Sequence, residues 1–342
     1  MIRQLSLVLS AAMLLSALTS VSNAQAPSCE AQVVCSAYSL YYAECIPALP
    51  PGAHSCGWNG PWSELCYVPT YQCSPRPCPT CNGAAASRPI DLSSGNTYIE
   101  EADVRLPGLG GGLALSRTWN SQNPAFGMFG QGWTANVEER MYVGADNLIK
   151  QLRGDGSIWS FGFSSYGTDS STANYLLAGP RNGNAAAQVD ASKWTLTLKS
   201  GEQKTFDRTT GALLTSSDRN GNTTSFTYDS SNRLVTVTDP VSRHLYFTYT
   251  TLMIAGVSTS LVTSVTSDFG VSLTYQYDTS GRLVKVTKPD NTFVTFEYGM
   301  ANFITAVKDS DGKVLEQHTY DSQGRGLTAS RAGGVEAVSV SY

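Results

Sequence analysis

An aromatic residue recurs at a nearly constant spacing through the C-terminal part of this 342-residue chain. The successive intervals are 22, 21, 28, 21, 22 and 22 residues. Self-similarity at such a period indicates an array of like supersecondary units that bury their apolar faces against their neighbours. The longer interval indicates an insertion within residues 250–269. The recurring positions are Phe206, Tyr228, Tyr249, Tyr277, Tyr298, Tyr320 and Tyr342.

Turn signals lie between these aromatic positions. Segments that begin with Asp and end three residues later with Gly or Asn occur at 218–221, 229–232, 278–281, 309–312 and 321–324. Asp caps backbone N–H groups of a type I turn, and Gly or Asn accepts the positive φ that follows. Residues 233–238 and 282–287 alternate apolar with polar, which predicts strands with one apolar face.

These patterns predict a mainly β fold, an antiparallel sheet built from repeated hairpins. Equivalent tyrosines should then form a ladder whose rings stack across neighbouring strands, at about 0.2 to 1 kcal/mol per pair. The predicted ladder consists of Tyr228, Tyr249, Tyr277, Tyr298, Tyr320 and Tyr342.

The N-terminus has the pattern of a secretory signal peptide, predicted over residues 1–24. Arg3 precedes an apolar run from Leu5 to Leu18, and small residues suitable for cleavage follow. The run is shorter than the roughly 20 residues of a spanning helix. We therefore expect an exported protein, periplasmic, extracellular or at the cell surface, without membrane insertion after cleavage. A net charge of −4 gives no basic footprint for nucleic acid.

All eight cysteines lie between residues 29 and 81, which sets residues 27–81 apart as a small module. An even number of cysteines in a short exported segment predicts structural disulfides, although eight allow about 105 connectivities. The Cys78-x-x-Cys81 pair leaves metal or redox chemistry open, but no second close pair accompanies it. The candidate disulfide residues are Cys29, Cys35, Cys45, Cys56, Cys66, Cys73, Cys78 and Cys81.

Three further segments complete the predicted domain organisation: a linker at 82–90, a β-rich pre-repeat domain at 91–200 and the repeats at 201–342. Glycines at 108 and 110–112 lack the Gly-Lys-Ser/Thr of a nucleotide loop and predict a turn between strands. Asp155-Gly156 lies between two strand-like runs and predicts a hairpin.

Residues 277–283, with the sequence YDTSGRL, match the Y-D-x-x-G-R-L core of Rhs/YD repeats, and near matches begin at Tyr228 and Tyr320. Segments 91–96, 106–108, 117–121 and 129–133 resemble the uncharacterised domain that precedes such repeats in many Rhs-type and wall-associated proteins. The resemblance covers roughly residues 88–342. It implies a β-sheet that spirals as part of a hollow shell, which in full-length relatives encloses a toxic domain or serves in cell-surface contact and carbohydrate binding.

Two departures from the family pattern affect this expectation. The segment Asp239-Pro240-Val241-Ser242 lacks the Gly of the D-P-x-G element that closes such shells. Tyr342 falls on the repeat period without the Asp that should follow it, so we expect a truncated array.

The sequence therefore predicts a non-enzymatic exported scaffold, the N-terminal part of an Rhs-type shell, acting in cell-surface contact or toxin delivery. Its expected partners are cell-surface glycans or a downstream Rhs or toxin segment, with no cofactor, metal or catalytic residue. The first alternative is a carbohydrate-binding surface module whose exposed tyrosines stack on sugars. The second is a cell-wall hydrolase centred on His244 or His318, which we expect instead to be partly exposed strand residues.

Overall fold

The computed structural model describes residues 54–58, 64–67, 85–86, 90–92, 94–167, 172–178, 185–299, 302–331 and 334–342. The predicted signal peptide lies outside the described residues. So do the candidate disulfide cysteines, apart from the strand backbone at Cys56 and Cys66. The disulfide module therefore stays a prediction.

The described residues form 28 strands, and a short 3-10 turn lies at Leu109–Gly111. The strands before the large sheet are β1 His54–Trp58, β2 Glu64–Tyr67, β3 Ala85–Ala86, β4 Ile90–Asp91, β5 Tyr98–Leu106, β6 Leu113–Asn120, β7 Phe126–Gly127, β8 Gly130–Gln131 and β9 Trp133–Ala135. The strands of the large sheet are β10 Arg140–Val143, β11 Ile149–Leu152, β12 Ile158–Tyr166, β13 Ala173–Leu177, β14 Ala185–Val189, β15 Lys193–Leu198, β16 Gln203–Asp207, β17 Leu213–Ser217, β18 Thr223–Tyr228, β19 Leu234–Thr238, β20 His244–Ile254, β21 Val257–Ser267, β22 Ser272–Tyr277, β23 Leu283–Thr287, β24 Phe293–Tyr298, β25 Ile304–Lys308, β26 Val314–Tyr320, β27 Gly326–Arg331 and β28 Val335–Ser339.

Strands β10 to β28 form one antiparallel sheet in which each strand pairs with its neighbours in the sequence. The prediction of a mainly β, antiparallel hairpin-repeat sheet is confirmed. Two predicted turns are confirmed as well: residues 153–157 join β11 to β12, and the glycine-rich segment joins β5 to β6. The sheet is continuous where the repeats were expected to begin, since β15 pairs with β16.

The sheet curls back on itself at its start. The N–H group of Met141 in β10 donates to the carbonyl of Gly211, 3.0 Å away, and Arg140 forms an isolated bridge with Ala212. Residues 211 and 212 lie between β16 and β17, so strands β10 to β16 close a first turn. The outer edge of β10 is therefore partly covered, which removes backbone groups that an edge strand would otherwise expose.

A β-bulge next to each recurring aromatic residue from Phe206 to Tyr320 changes which side chains are buried. In the β22–β23 pair, Gln276 opposes Lys285 and Tyr277 opposes Leu283, so Val284 is an extra residue. Leu283 and Val286, three positions apart, are consequently the buried residues of β23. The expectation of strict alternation in residues 233–238 and 282–287 is wrong, because the bulge moves one residue out of the ladder.

The segment before the sheet, residues 90–139 and here called the pre-repeat segment, packs on one face of the large sheet. Its strands β5, β6 and β9 form a small sheet of their own. Two of its aromatic rings contact the large sheet: Phe129 lies 4.8 Å from Tyr275, and Trp133 lies 5.0 Å from Phe296, centroid to centroid. One cluster of buried side chains therefore includes residues of both units.

Candidate functional site: the tyrosine edge of the sheet

Every second turn of the repeat sheet lies on the same edge, and the recurring tyrosines come directly before or near these turns. We call this the tyrosine edge, formed by the turns at 229–233, 255–256, 278–282, 299–303 and 321–325. The residues named above as the predicted ladder are here called the ladder tyrosines. All six lie along the edge. The rings of the first five are partly buried against the core, whereas Tyr342 is 47% exposed.

The Asp of the repeat motif organises its turn through both carboxylate oxygens. Asp278 Oδ1 accepts hydrogen bonds from the backbone N–H groups of Ser280 and Arg282, at 2.9 and 3.0 Å. Its Oδ2 accepts from Arg282 Nε at 2.6 Å. Gly281 has a φ of 72°, which a residue with a side chain adopts only with strain. The sequence-based assignment of a type I turn followed by a positive-φ residue is confirmed here.

The same arrangement of Asp and Arg recurs at 229–233, 239–243 and 321–325. At Asp229, hydrogen bonds from the Arg233 side chain and backbone hold the carboxyl pKa below its ordinary value. In the 239–243 turn, Ser242 has a φ of 65°, where the other turns have Gly or Asn. This turn therefore forms without the Gly that is missing from its sequence.

The hydroxyl of each ladder tyrosine donates to a backbone carbonyl of the preceding hairpin. Tyr298 Oη binds the carbonyl of Leu283 at 2.9 Å, and Leu283 is the residue that Tyr277 opposes across the bulge. A bulge leaves backbone groups outside the regular ladder, so the next hydroxyl satisfies one of them. The complete series is Tyr228 to Leu213, Tyr249 to Leu234, Tyr277 to Val262, Tyr298 to Leu283, Tyr320 to Ile304 and Tyr342 to Gly326.

The rings of these tyrosines do not stack on one another in the part of the chain that the structure describes. Hydrogen bonds therefore replace the expected ring stacking. The ladder tyrosines recur only at every second strand, so no two of their rings belong to neighbouring strands. The arginine of one turn instead lies over the next tyrosine ring. Arg282 lies 5.0 Å from the Tyr298 centroid, and Arg325 lies 4.2 Å from that of Tyr342. Such contacts contribute about 0.5 to 1 kcal/mol at exposed sites.

The motif Y-D-x-x-G-R-L thus has a physical role at each named position. Tyr binds backward to the preceding hairpin, Asp and Gly form the turn, and Arg binds its own Asp and the following ring. Leu fills the core, since Leu234 and Leu283 are both buried. Each unit consequently contacts the unit before it and the unit after it.

Backbone hydrogen bonds join the pre-repeat segment to the tyrosine edge. The N–H group of Val262 donates to the Met128 carbonyl at 2.9 Å, and that of Gly326 donates to the Gly95 carbonyl at 2.8 Å. At the opposite edge, Arg243 Nη2 donates to the Pro107 carbonyl at 3.2 Å. The β5–β6 hairpin therefore spans the width of the sheet from one edge to the other.

A buried charged group links the centre of this hairpin to the repeats. Arg117 is 1% exposed and forms a bidentate ion pair with Asp103, in which Nη2 lies 2.8 Å from Oδ1. Tyr275 Oη donates to Asp103 Oδ2 at 2.8 Å. Although desolvation opposes the charge, the nearby Asp103 carboxylate raises the pKa of Arg117 above its ordinary value. The guanidinium also lies 4.7 Å from the centroid of Trp133.

Sequence reasoning missed this buried group. Arg117 lies in the 117–121 segment that supported the family resemblance, but no periodicity or spacing indicated that its side chain is buried. Asp103 and Tyr275 are 172 residues apart. Only the fold brings them together.

The histidines do not form a catalytic arrangement with any serine in the described ranges. His244 Nδ1 lies 3.0 Å from Asp268 Oδ2 at an exposed site. His318 is 2% exposed, and neither ring nitrogen has a hydrogen-bond partner. Glu316 Oε2 lies 3.5 Å from Nε2, as an ion-pair contact only. The expectation that His318 is partly exposed is wrong, because β26 turns this side chain toward the core.

Two serines contact basic side chains: Ser157 Oγ accepts a hydrogen bond from Arg153 Nη1 at 3.2 Å, and Ser160 contacts a lysine. Lys150 Nζ donates to Ser160 Oγ at 3.1 Å and also pairs with Asp146 Oδ2 at 2.6 Å. A lysine activates a serine only as a neutral amine, whereas Lys150 Nζ is ion-paired with Asp146. The arrangement is therefore a buried ion pair. The described residues contain no cluster of three or more His, Cys, Asp or Glu side chains suited to a metal ion.

Two family models match the chain. The first, a domain of unknown function (DUF6531), matches residues 87–161. The second, the RHS repeat, matches residues 207–243, 259–292 and 278–314. The matched repeats include the turns at 229–233 and 278–282 on the tyrosine edge and the turn at 239–243 on the opposite edge.

Curated relatives and solved structures also match. The tRNA nuclease WapA of Bacillus subtilis is 29% identical over 145 residues, and the tRNA3(Ser)-specific nuclease WapA of Bacillus spizizenii is 30% identical over the same length. These alignments cover 42% of this chain but only 6% of each relative. The TcdB2-TccC3-Cdc42 and TcdB2-TccC3 structures are 14% and 15% identical, with TM-scores of 0.21 and 0.20 over 71% of this chain and 11% of theirs. Within the described residues, no helix is both long and apolar enough to cross a bilayer.

Proposed function

Because this chain belongs to the Rhs/YD-repeat family, we propose that its β-repeat scaffold is a non-enzymatic wall segment of an Rhs-type shell. In this proposal the pre-repeat segment covers one face of the repeat sheet, and the repeats extend the wall one hairpin at a time. The wall serves an exported assembly for cell-surface contact or toxin delivery. The observation that carries the proposal is the tyrosine edge, where each unit binds both of its neighbours.

Two features support a structural role over a catalytic one. The carboxylates of the repeat turns are occupied by backbone and arginine donors, as at Asp278 and Asp321. The ladder hydroxyls are bound to carbonyls, as at Tyr277. Groups that are already paired in this way are poor candidates for nucleophiles or general bases.

The nuclease names of the relatives apply to proteins of which the alignment covers 6%. We propose that the aligned region is scaffold in those proteins as in this chain. The purified chain should then leave tRNA intact in the presence of Mg²⁺ under conditions where a nuclease control degrades it. Cleavage that persists through purification and disappears on a single substitution within residues 90–342 would overturn the non-enzymatic assignment.

Export and surface location form the second part of the proposal, supported by the signal-peptide pattern of residues 1–24. Protease added to intact cells that express the chain should degrade it while a cytoplasmic marker survives. Protection of the chain until the cells are lysed would contradict a surface location.

Negative-stain images of the purified chain should contain curved walls, and compact helical particles would contradict the scaffold.

A further inference from the structure

The hairpin of β20 and β21 is longer than its neighbours in the repeat sheet. Each of its strands has 11 residues, whereas β18 and β22 have 6 and β19 and β23 have 5. Among the described strands, β19 pairs with residues 244–246 and β22 pairs with residues 264–266. The insertion indicated within residues 250–269 therefore lengthens this hairpin at the tyrosine edge, where residues 250–261 form its extended end.

This extended end is apolar and uncharged. Its last residues, 252–257, have the sequence LMIAGV and are here called the apolar tip. Residues 245–267 contain no Asp, Glu, Lys, Arg or His. Within the tip, Met253 is 66% exposed and Val257 is 64% exposed. Since soluble proteins rarely expose contiguous apolar segments, the tip indicates contact with an apolar partner.

The apolar tip presents side chains on both faces of the hairpin. Ile254 pairs with Val257 across the turn, and Met253 pairs with Ser258. Successive residues of a strand point to opposite faces, so Met253 lies on one face and Val257 on the other. A protein surface that docks on a protruding hairpin covers one of its faces, whereas a lipid bilayer surrounds the end of the hairpin on every side. The tip therefore fits a bilayer better than it fits a protein surface.

Phe126 of the pre-repeat segment enlarges this apolar surface and is itself 40% exposed. Ile254 Cδ1 and the Phe126 ring both lie next to the position that a Cβ on Gly281 would occupy, the ring at 3.0 Å. The two side chains are therefore neighbours over the turn that contains Gly281. The charges of this turn compensate each other, because Arg282 forms an ion pair with Asp278.

We propose that the apolar tip and Phe126 insert into the interface of a lipid bilayer, where their side chains contact the acyl chains. Interfacial segments bury their apolar side chains about 5 to 10 Å deep. The pairs from Leu252 and Thr259 to Ile254 and Val257 span this depth at about 3.4 Å per residue. Deeper insertion is unfavourable, because the backbone groups at a strand edge would leave water without gaining partners.

This contact goes beyond the proposed scaffold role and does not depend on it, since a wall segment needs no lipid. It departs from the sequence-based expectation that the exported chain does not insert into a membrane. The departure is limited to a shallow contact of one hairpin end.

The lack of charge in the tip determines which lipids it binds. Anionic headgroups attract Lys and Arg side chains, and residues 245–267 contain neither. The net charge of the chain, −4, gives no attraction to an anionic surface either. Binding should therefore depend on the acyl chains and resist salt, whereas electrostatic binding is weakened by salt.

Vesicle flotation of the full chain tests the proposal. With phosphatidylcholine vesicles, half of the chain should be bound at about 1 to 10 mM lipid. Adding phosphatidylglycerol should not strengthen binding, and raising NaCl from about 0.1 M to about 1 M should not weaken it. The absence of binding at about 10 mM lipid, or binding that requires phosphatidylglycerol and is lost in salt, would overturn the proposal.

Substitutions locate the contact on the chain. Met253→Asp and Val257→Asp should each weaken vesicle binding at least about 10-fold, because each replaces an apolar side chain in the acyl region with a charge. The matched control is Val241→Asp, at a valine that is 51% exposed in the turn at the opposite edge, and it should change binding less than about twofold. Equal effects of Val257→Asp and Val241→Asp would contradict the assignment to the tip.

Thermal unfolding verifies that each variant folds. Met253→Ser and Val257→Ser, which keep the hairpin uncharged, replace any Asp variant that does not fold and should also weaken binding. Sedimentation equilibrium without lipid separates a second copy of the chain from lipid as the occupant. Self-association that Val257→Asp abolishes, together with vesicle binding that it leaves unchanged, would assign the tip to a second copy and overturn the lipid contact.

Discussion

At the scale of single residues, each ladder tyrosine joins two consecutive hairpins through its hydroxyl group. Replacing Tyr277 with Phe keeps the ring and removes the 2.7 Å bond to the Val262 carbonyl. Because a buried acceptor then loses its partner, we expect a loss of about 1 to 2 kcal/mol in the free energy of unfolding. Urea denaturation measures this loss. Tyr166→Phe at a 61% exposed site is the control and should change little, and equal effects of the two variants would contradict the hydroxyl ladder.

The buried Arg117–Asp103 pair is the second residue-scale test. Arg117→Met leaves the Asp103 carboxylate buried without its charge partner, which should cost about 3 to 5 kcal/mol. The double variant Arg117→Met/Asp103→Leu removes both charges and should be more stable than the single variant, although Tyr275 loses its acceptor. Urea midpoints of the three chains give the comparison. A double variant less stable than Arg117→Met would show that the loss in the single variant does not come from the unpaired Asp103 carboxylate.

At the scale of elements, the sequence predicted the hairpins and their turns because Asp, Gly and Asn act locally. Asp278 binds atoms within four residues, so its role could be derived from the chain alone. The bulges could not be derived, since the extra residue Val284 is set by pairing across β22 and β23. The contact of Arg282 with Tyr298 likewise requires the next hairpin to be in place.

Two glycines with the same backbone constraint test the closure of the first turn. Gly211 and Gly221 have φ values of 72° and 84°. A Cβ at Gly211 would lie 2.1 Å from the Met141 carbonyl oxygen of β10, whereas nothing lies within 4 Å of a Cβ at Gly221. In both Ala variants the positive φ should lower the free energy of unfolding by about 1 kcal/mol. In Gly211→Ala the clash with Met141 should lower it by at least about 2 kcal/mol more. Calorimetric unfolding measures both, and equal losses would contradict the contact between β10 and residue 211.

At the scale of the whole molecule, the stability should depend on pH through the carboxyl between the pre-repeat segment and the sheet. Burial raises the pKa of Glu138 from 4.5 to about 7, so between these pH values the folded chain retains a proton that the unfolded chain has lost. The contribution of Glu138 to stability is therefore present below pH 4.5 and is lost as the pH rises through 7, by roughly 3 kcal/mol.

Glu138→Gln should remove this decline when urea unfolding is followed from pH 5 to 8. The turn carboxylates act in the opposite direction at lower pH, because the Arg233 side chain lowers the pKa of Asp229 and its stabilisation is lost as the pH falls. A decline of unchanged slope in the Gln variant would show that another group is responsible.

One continuous repeat sheet curls on itself and carries the pre-repeat segment on one face, bonded to its tyrosine edge. Two backbone amides report on it directly: Met141, bonded to Gly211 outside the strand ladder, and Val262, bonded to Met128. Native-state hydrogen exchange followed by NMR should find both amides protected to the level of the central strands, because they open only with the fold. Fast exchange at both amides, with β22 to β25 still protected, would contradict this arrangement of the sheet and the pre-repeat segment.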